Sequence, residues 1–164
     1  MPTNQRVNPE LLQHNNTLQR YEFVLKNHET LISFLKDLPP NKHDQGDWGT
    51  CDTQAADHYC GTSACAMGWA AASGEIPGLG HCLAKSEEWR DRFKSVRPTV
   101  NGERSDWGRA AVKFFGESTL HGVFLRTDTD LPATIDRLER RAEAIKKTVD
   151  KLKNPPSPPP SPIY

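Results

Sequence analysis

The sequence predicts a mainly α-helical chain, with one domain of about five or six helices and a proline-rich C-terminal tail. Apolar side chains recur every three or four residues over 31–38 and over 135–152, which is the period of an amphipathic helix. Strand-like residues are expected only in 118–128, STLHGVFLRTD. The closing segment PPSPPPSP is incompatible with helix or sheet, because proline lacks the amide donor.

The length of 164 residues, with 35% hydrophobic and 26% charged residues, suits one globular domain. We expect a polar lead over residues 1–8, a helical domain over 9–153 and a tail over 154–164. The tail favours the polyproline II conformation. It is either a disordered end or a strand that docks into an aromatic groove.

The first helical segment has a typical start and a typical end. Asn8 is a good N-cap, and Pro9 suits the first helical turn. Pro39 and Pro40 stop the segment, since an interior proline breaks a helix. The apolar spacing leaves open whether one helix runs through or two helices meet near Asn27.

The middle of the chain is predicted to alternate between loop and helix. Residues 41–61 are polar and glycine-containing, which indicates an ordered loop around Trp48. A helix is expected over 63–73, with Thr62 as its N-cap and Gly74 as its stop.

Three shorter elements are predicted next. Residues 83–93 favour a short amphipathic helix, and residues 97–106, RPTVNGERSD, favour a turn or brief hairpin. Ser105 or Asp106 could cap a further helix, which Gly116 ends.

The last helix has the clearest pattern in the chain. Leu131 and Pro132 open it, as proline is favoured in the first helical turn. Its apolar positions follow the helical spacing closely and are Ile135, Leu138, Ala142, Ile145, Val149 and Leu152. Basic and acidic residues alternate between them, which indicates a solvated face with mixed ion pairs.

Charge and hydropathy argue against two classes of partner. The 21 basic and 21 acidic side chains give a formal net charge of zero, so no broad field would attract nucleic acid or anionic lipid. No apolar run is long enough for a membrane span, and the N-terminus lacks a secretory signal core. A reducing cytosol is therefore expected, where the four cysteines are thiols or metal ligands.

The stretch CGTSACAMGWAA, residues 60–71, concentrates the unusual composition of the chain. Its alanines and Gly68 lie on neighbouring turns of the predicted helix and would let another backbone approach closely. A buried free cysteine behaves as a small hydrophobe, so close packing explains nearly every residue here.

A reactive thiol is a second interpretation of the same stretch. Cys60 precedes the predicted helix and Cys65 lies in its first turn, where the positive end of the helix dipole lowers a thiol pKa. An attacking cysteine also needs a base, for which His58, His81 and His121 are candidates, and Asp57 or Asp106 could orient one of them. A cysteine-based enzyme therefore stays open.

Zinc and disulfides are the remaining cysteine interpretations. Thiolate and imidazole are the ligands that zinc prefers, and six such residues lie close in sequence. These candidate zinc ligands are Cys51, His58, Cys60, Cys65, His81 and Cys82. If the protein acts outside the cell, two of Cys51, Cys60 and Cys82 could instead form a disulfide.

Several residues are candidates for contact with a ligand or partner. Thr62 and Ser63, with free amides at a helix start, could hold an anion. Trp48 and Trp107 each precede glycine and are predicted to lie at a partly open surface, and Trp69 flanks the small residues of 60–71. His14 and His28 are also expected at the surface.

Beyond its separate residues, the chain resembles a family of small uncharacterised phage and prophage proteins. The resemblance rests on the core Cys-Gly-Thr-x-x-Cys-x-x-Gly-Trp-Ala over 60–70, then on WGRAAVKFFG and TDLPATIDRLERRAEAI. It covers about residues 30 to 145. It implies a viral or prophage origin and a mostly helical fold, and it carries no assigned activity.

Together these observations favour a non-catalytic, phage-type accessory protein that acts through protein contacts. Its surface would lie around the Trp48 loop and the Cys60–Trp69 core, with the tail as a second docking element. The partner would be a host protein in the host cytoplasm or a neighbouring subunit in a virion. The alternative is a cysteine-based enzyme or a zinc-binding domain centred on Cys60 and Cys65.

Overall fold

The computed structural model describes residues 9–42, 50–52, 65–83, 93–116 and 130–160. In chain order its helices and strands are α1 (Pro9–Asp37), a 3-10 turn (Pro40–Lys42), β1 (Thr50–Asp52), α2 (Ala66–Ser73), β2 (Leu79–Leu83), β3 (Phe93–Val100), β4 (Glu103–Arg104), α3 (Trp107–Phe115) and α4 (Leu131–Lys153).

The mainly α-helical prediction is confirmed, but the element count and the sheet differ from it. The described ranges contain four α-helices, not five or six, beside a small antiparallel sheet. Apart from the predicted hairpin in 97–106, strands were expected only in 118–128, which lies outside these ranges. That restriction was wrong, because Leu83 and Phe93, the ends of the predicted 83–93 helix, belong to strands β2 and β3.

Among the described elements, helices α1 and α4 pack against each other most extensively. Helix α1 is continuous through Asn27, which answers the question left open by its sequence. Lys36 contacts Glu139 near one end of the pair, and Lys153 lies 2.8 Å from Glu22 near the other. The two helices therefore run antiparallel. Between these ion pairs, buried aliphatic side chains from both helices form a small cluster of Val24, Ile145 and Val149.

Helix α3 is held by side chains of α1 that bind its last carbonyls. The amide of Asn27 is 3% exposed and donates to the carbonyl of Phe114 at 2.9 Å. The guanidinium of Arg20 donates to the carbonyl of Val112 at 2.6 Å and to that of Lys113. The Val112 carbonyl also accepts from the Gly116 amide at 3.0 Å. Lys113 and Phe114 lie in the last turn, whose carbonyls lack donors within the helix, and there α1 supplies the donor.

The starts of α3 and α4 follow the sequence predictions. Asp106 caps α3 by accepting from the Arg109 amide at 2.8 Å, and Gly116 ends the helix with a left-handed backbone. Asp130 caps α4 by accepting from the Ala133 amide at 2.9 Å, a cap that was not among the predictions. The proline-containing start at Leu131 is also confirmed.

Strand β3 is the centre of the sheet, with β2 on one side and the short strands β1 and β4 on the other. The predicted hairpin in 97–106 is confirmed. Asn101 and Gly102, both at positive φ, turn the chain so that Val100 pairs with Glu103. These are the residue types that a tight two-residue hairpin turn requires.

His28 corrects one sequence expectation, because it is fully buried rather than at the surface. Its ring nitrogen Nδ1 donates to the Val24 carbonyl at 2.9 Å, and its ring meets Phe115 edge-on at 5.3 Å. A polar ring can join the core when its hydrogen bond is made within its own helix. The buried face of α1 therefore includes His28 and is wider than its aliphatic residues alone indicate.

The Asn27 bond gives a direct test of how α1 holds α3. Asn27→Ala leaves the Phe114 carbonyl without this donor in a buried place, which should lower the free energy of unfolding by about 1–3 kcal/mol. Urea denaturation followed by circular dichroism measures the change. Gln19→Ala, at an exposed site on the same helix, should stay within about 0.5 kcal/mol of the unaltered protein. Equal effects of the two substitutions would contradict the assignment.

Candidate functional site

Helix α2 lies inside the protein rather than on its surface. All six residues from Ala66 to Ala71 are buried, and the helix packs against α1, β2 and β3. Four of them are alanine or glycine, so neighbouring backbones can approach closely with few side-chain atoms between them. This part of the 60–71 stretch forms core, as the packing interpretation predicted.

Cys65 is the N-cap of α2. Its sulfur accepts from the Gly68 amide at 3.4 Å, and the residue is 1% exposed. The expected helix start at 63 and the expected cap at Thr62 were therefore wrong. A thiol sulfur can accept a hydrogen bond, although weakly. Cysteine can therefore take the N-cap role that serine or threonine usually has.

Trp69 connects α2 to the end of α1. It is fully buried, and its indole Nε1 donates to the Lys42 carbonyl at 2.9 Å. The ring of Phe34, which is half-buried, lies 5.9 Å from the indole ring between centroids. Trp69 therefore positions both the 3-10 turn and an aromatic side chain at the surface.

The other predicted contact residues fall into two groups. Trp107 is 7% exposed, so the expectation of a partly open position for it was wrong; as the first residue of α3, it faces the core. The second group lies outside the described residues. It consists of the contact candidates Trp48, Thr62 and Ser63, the candidate nucleophile Cys60 and the candidate base His58.

Only part of the proposed zinc set can be placed. His81 and Cys82 are neighbours on β2, where successive side chains point to opposite faces, so they do not converge on one ion. Cys51 lies in β1, paired with Lys94. Across the described ranges, no three His, Cys, Asp or Glu side chains are grouped to hold a metal ion.

Beside Phe34, whose ring contacts Trp69, lies a groove that the sequence did not reveal. Its volume is about 370 Å³, and its apolar wall consists of Phe34, Leu38 and Pro39. Polar and charged side chains form its rim, and they are Ser33, Asp37, Lys42 and Glu75. We call these seven residues the Phe34 groove. They come from α1, from residues 38–42 that follow it and from the segment after α2, so no local motif marks them.

A second, wider groove of about 990 Å³ lies between the β3–β4 hairpin and α3. Half of its lining residues are charged, and part of that charge is already paired. Asp106 caps α3 and also lies 3.3 Å from the Arg109 guanidinium. The Phe34 groove has the more apolar wall and adjoins the 60–71 stretch, so it is the stronger candidate site.

Comparisons with protein-family models, curated proteins and solved structures give no match. Within the described ranges, no helix combines the length and hydropathy of a transmembrane span.

The Cys65 cap can be tested by comparing two substitutions. Cys65→Ala removes the acceptor for the Gly68 amide, whereas Cys65→Ser keeps one. We expect the serine variant to be more stable than the alanine variant by about 1 kcal/mol in urea denaturation. The same pair at Cys82, on a strand, should show no such advantage. A less stable serine at position 65 would mean that cysteine acts there as an apolar filler and not as a cap.

Thiol labelling tests the burial of Cys65 independently. Iodoacetamide should modify Cys65 far more slowly than the half-buried Cys82 in the native protein, and both at similar rates in urea. Peptide mass spectrometry resolves the two sites. Faster native labelling at Cys65 would indicate an accessible, activated thiol and would favour the enzyme interpretation.

Proposed function

We propose that this chain is a non-catalytic accessory protein of the phage or prophage type, and that it acts through protein–protein contacts. The resemblance around Cys60–Ala70 supports the phage-type origin. A host protein in the host cytoplasm or a neighbouring subunit in a virion is the proposed partner. The Phe34 groove is the proposed contact surface.

The burial of Cys65 and Trp69 is the observation that carries this proposal. A nucleophile or a metal ligand must meet its substrate or ion, but the Cys65 thiol is 1% exposed and already bonded to the Gly68 amide. Trp69 is likewise enclosed and bonded. Trp69 instead supports the ring of Phe34, which lines the Phe34 groove.

The groove has the composition of a protein interface. Apolar side chains line its centre and charged side chains surround them, which is the usual arrangement of an interface core and rim. Its volume of about 370 Å³ lies at the low end for binding pockets. Such a site suits a few side chains of a peptide segment better than a large cofactor.

The overall charge supports a protein partner over a polyanion. The formal net charge is zero, so phosphate-backbone attraction, the main source of non-specific nucleic-acid affinity, has no broad basis here. Within the groove, the carboxylates of Asp37 and Glu75 face one ammonium group, that of Lys42. This excess of negative charge disfavours phosphate groups further.

Site-directed crosslinking tests the proposed function. A photoreactive amino acid at Ser33, an exposed rim position, should crosslink to one defined partner in host cells, identified by mass spectrometry. The same amino acid at Gln19, on the same helix and away from the groove, should not. Ser33→Arg should weaken binding of that partner at least tenfold, about 1.4 kcal/mol, while Gln19→Arg should not. The same partner at both positions, or unaltered binding by Ser33→Arg, would overturn the assignment.

A further inference from the structure

We propose that the Phe34 groove of one copy binds the proline-rich tail of a second copy of this chain. This inference rests on the proposed function, because it names the partner of the same groove. It follows from the chemistry of the tail, the chemistry of the groove and the positions of the two on the fold.

The tail has the properties of a docking strand. Helix α4 ends at Lys153, and every residue from Pro155 to Pro160 is exposed. Proline fixes the backbone φ and has no amide hydrogen, so PPSPPP favours an extended polyproline II strand. Such a strand loses little conformational entropy on binding, and it offers prolyl rings and carbonyl acceptors.

The groove offers matching groups. Proline-rich strands dock against aromatic surfaces, and the Phe34 ring is held in place by the buried Trp69. Leu38 and Pro39 extend the apolar wall. Ser33 and Lys42 on the rim carry donors for the carbonyls of the strand.

Charge on the two surfaces is complementary. Asp37 and Glu75 place two carboxylates on the rim of the groove, against the single ammonium of Lys42. Lys151 lies just before the tail and is exposed, whereas Lys153 is paired with Glu22 of its own chain. A tail that enters the groove would bring the Lys151 ammonium toward the carboxylates, which favours encounter and sets its direction.

The positions of tail and groove favour a second copy over the same chain. The antiparallel α1–α4 pair brings Lys153 to Glu22, whereas the groove begins at the other end of α1. Glu22 and Asp37 are separated by about 22 Å along the helix axis, from a rise of 1.5 Å per residue. Helix α4 runs away from the groove toward Glu22, so a tail that reached the groove of its own chain would have to reverse direction, which an extended proline-rich segment disfavours. The start of the tail and the groove therefore lie at opposite ends of the α1–α4 pair.

Opposite placement leads to a defined assembly. Each copy contributes one tail and one groove, so two copies that exchange tails satisfy both sites in a closed dimer. The described tail residues Pro155–Pro160 span about 19 Å as polyproline II, at 3.1 Å per residue, so an extended tail projects well beyond the end of α4.

The oligomeric state of the full-length chain tests the proposal. Sedimentation over a concentration series should show a mass that rises from 18.4 kDa toward twice that value. Replacing Pro155, Pro156, Pro158 and Pro159 together by alanine alters only the exposed tail and should weaken association at least tenfold. Asp37→Lys with Glu75→Lys should do the same. The matched control, Glu103→Lys with Glu143→Lys, carries the same charge change at exposed sites elsewhere and should associate like the unaltered protein.

A charge exchange separates direct contact from a general effect. Lys151→Glu should weaken self-association, as should the Asp37→Lys, Glu75→Lys variant. When these two variants are mixed, each groove meets a tail of opposite charge at position 151, so association should recover. Failure to recover in the mixture would overturn the pairing of tail and groove.

Two other outcomes would also overturn the proposal. A monomer at every concentration excludes the second copy, and so does equal association by the proline variant. Crosslinking at Ser33 then separates the two proposals. If the chain is monomeric and Ser33 crosslinks to a different protein, the proposed function stands and only the second-copy proposal is wrong. If the chain is monomeric and no protein is crosslinked, both proposals are wrong.

Discussion

The structure depends on the hydrogen bond from the buried Trp69 indole to the Lys42 carbonyl. An indole N–H enclosed in the core without a partner would be costly, so this bond determines where the chain runs after α1. It draws the 3-10 turn over α2 and brings Phe34 against the indole ring. The surface of the Phe34 groove is thus a consequence of how one core residue satisfies its polar atom.

Helix α1 provides the frame for the other described elements. It packs against α2, α3 and α4, so it is apolar on more than one side and uses polar side chains inside the fold. Asn27 and Arg20 complete the end of α3, and His28 bonds its own helix while it contacts Phe115. Apolar contact, such as that of Phe23 with Phe114, and hydrogen bonds together set the position of α3 on α1.

The small residues of α2 and the groove are parts of one arrangement. Alanines and Gly68 allow α2 to lie close to α1 and the sheet. Because these side chains are small, the large side chain of Trp69 can also be fully buried. Cys65 begins the helix without adding bulk. A stretch with the composition of a reactive site can therefore serve to shape a surface nearby. The chemistry of contact then belongs to residues that have no unusual composition, such as Phe34 and Pro39.

The amino-acid sequence by itself determined the features that rest on bonds between near neighbours. The caps at Asp106 and Asp130 and the turn at Asn101–Gly102 are readable, because each involves a side chain or a φ angle within about three residues. The mainly helical class follows from the same local periodicity, most clearly in α4.

Only the tertiary structure decided the sheet, the role of α2 and the groove. Pro98 lies within the central strand β3, where proline argues against a strand, yet pairing with β2 from a distant part of the sequence forms one. Whether Trp69 faces solvent or core depends on the Lys42 carbonyl, 27 residues away. The Phe34 groove combines three separate segments, and no single segment carries its pattern. Long-range packing outweighs local preference at these places, because the free energy gained by burying apolar surface exceeds the free energy of the local preference.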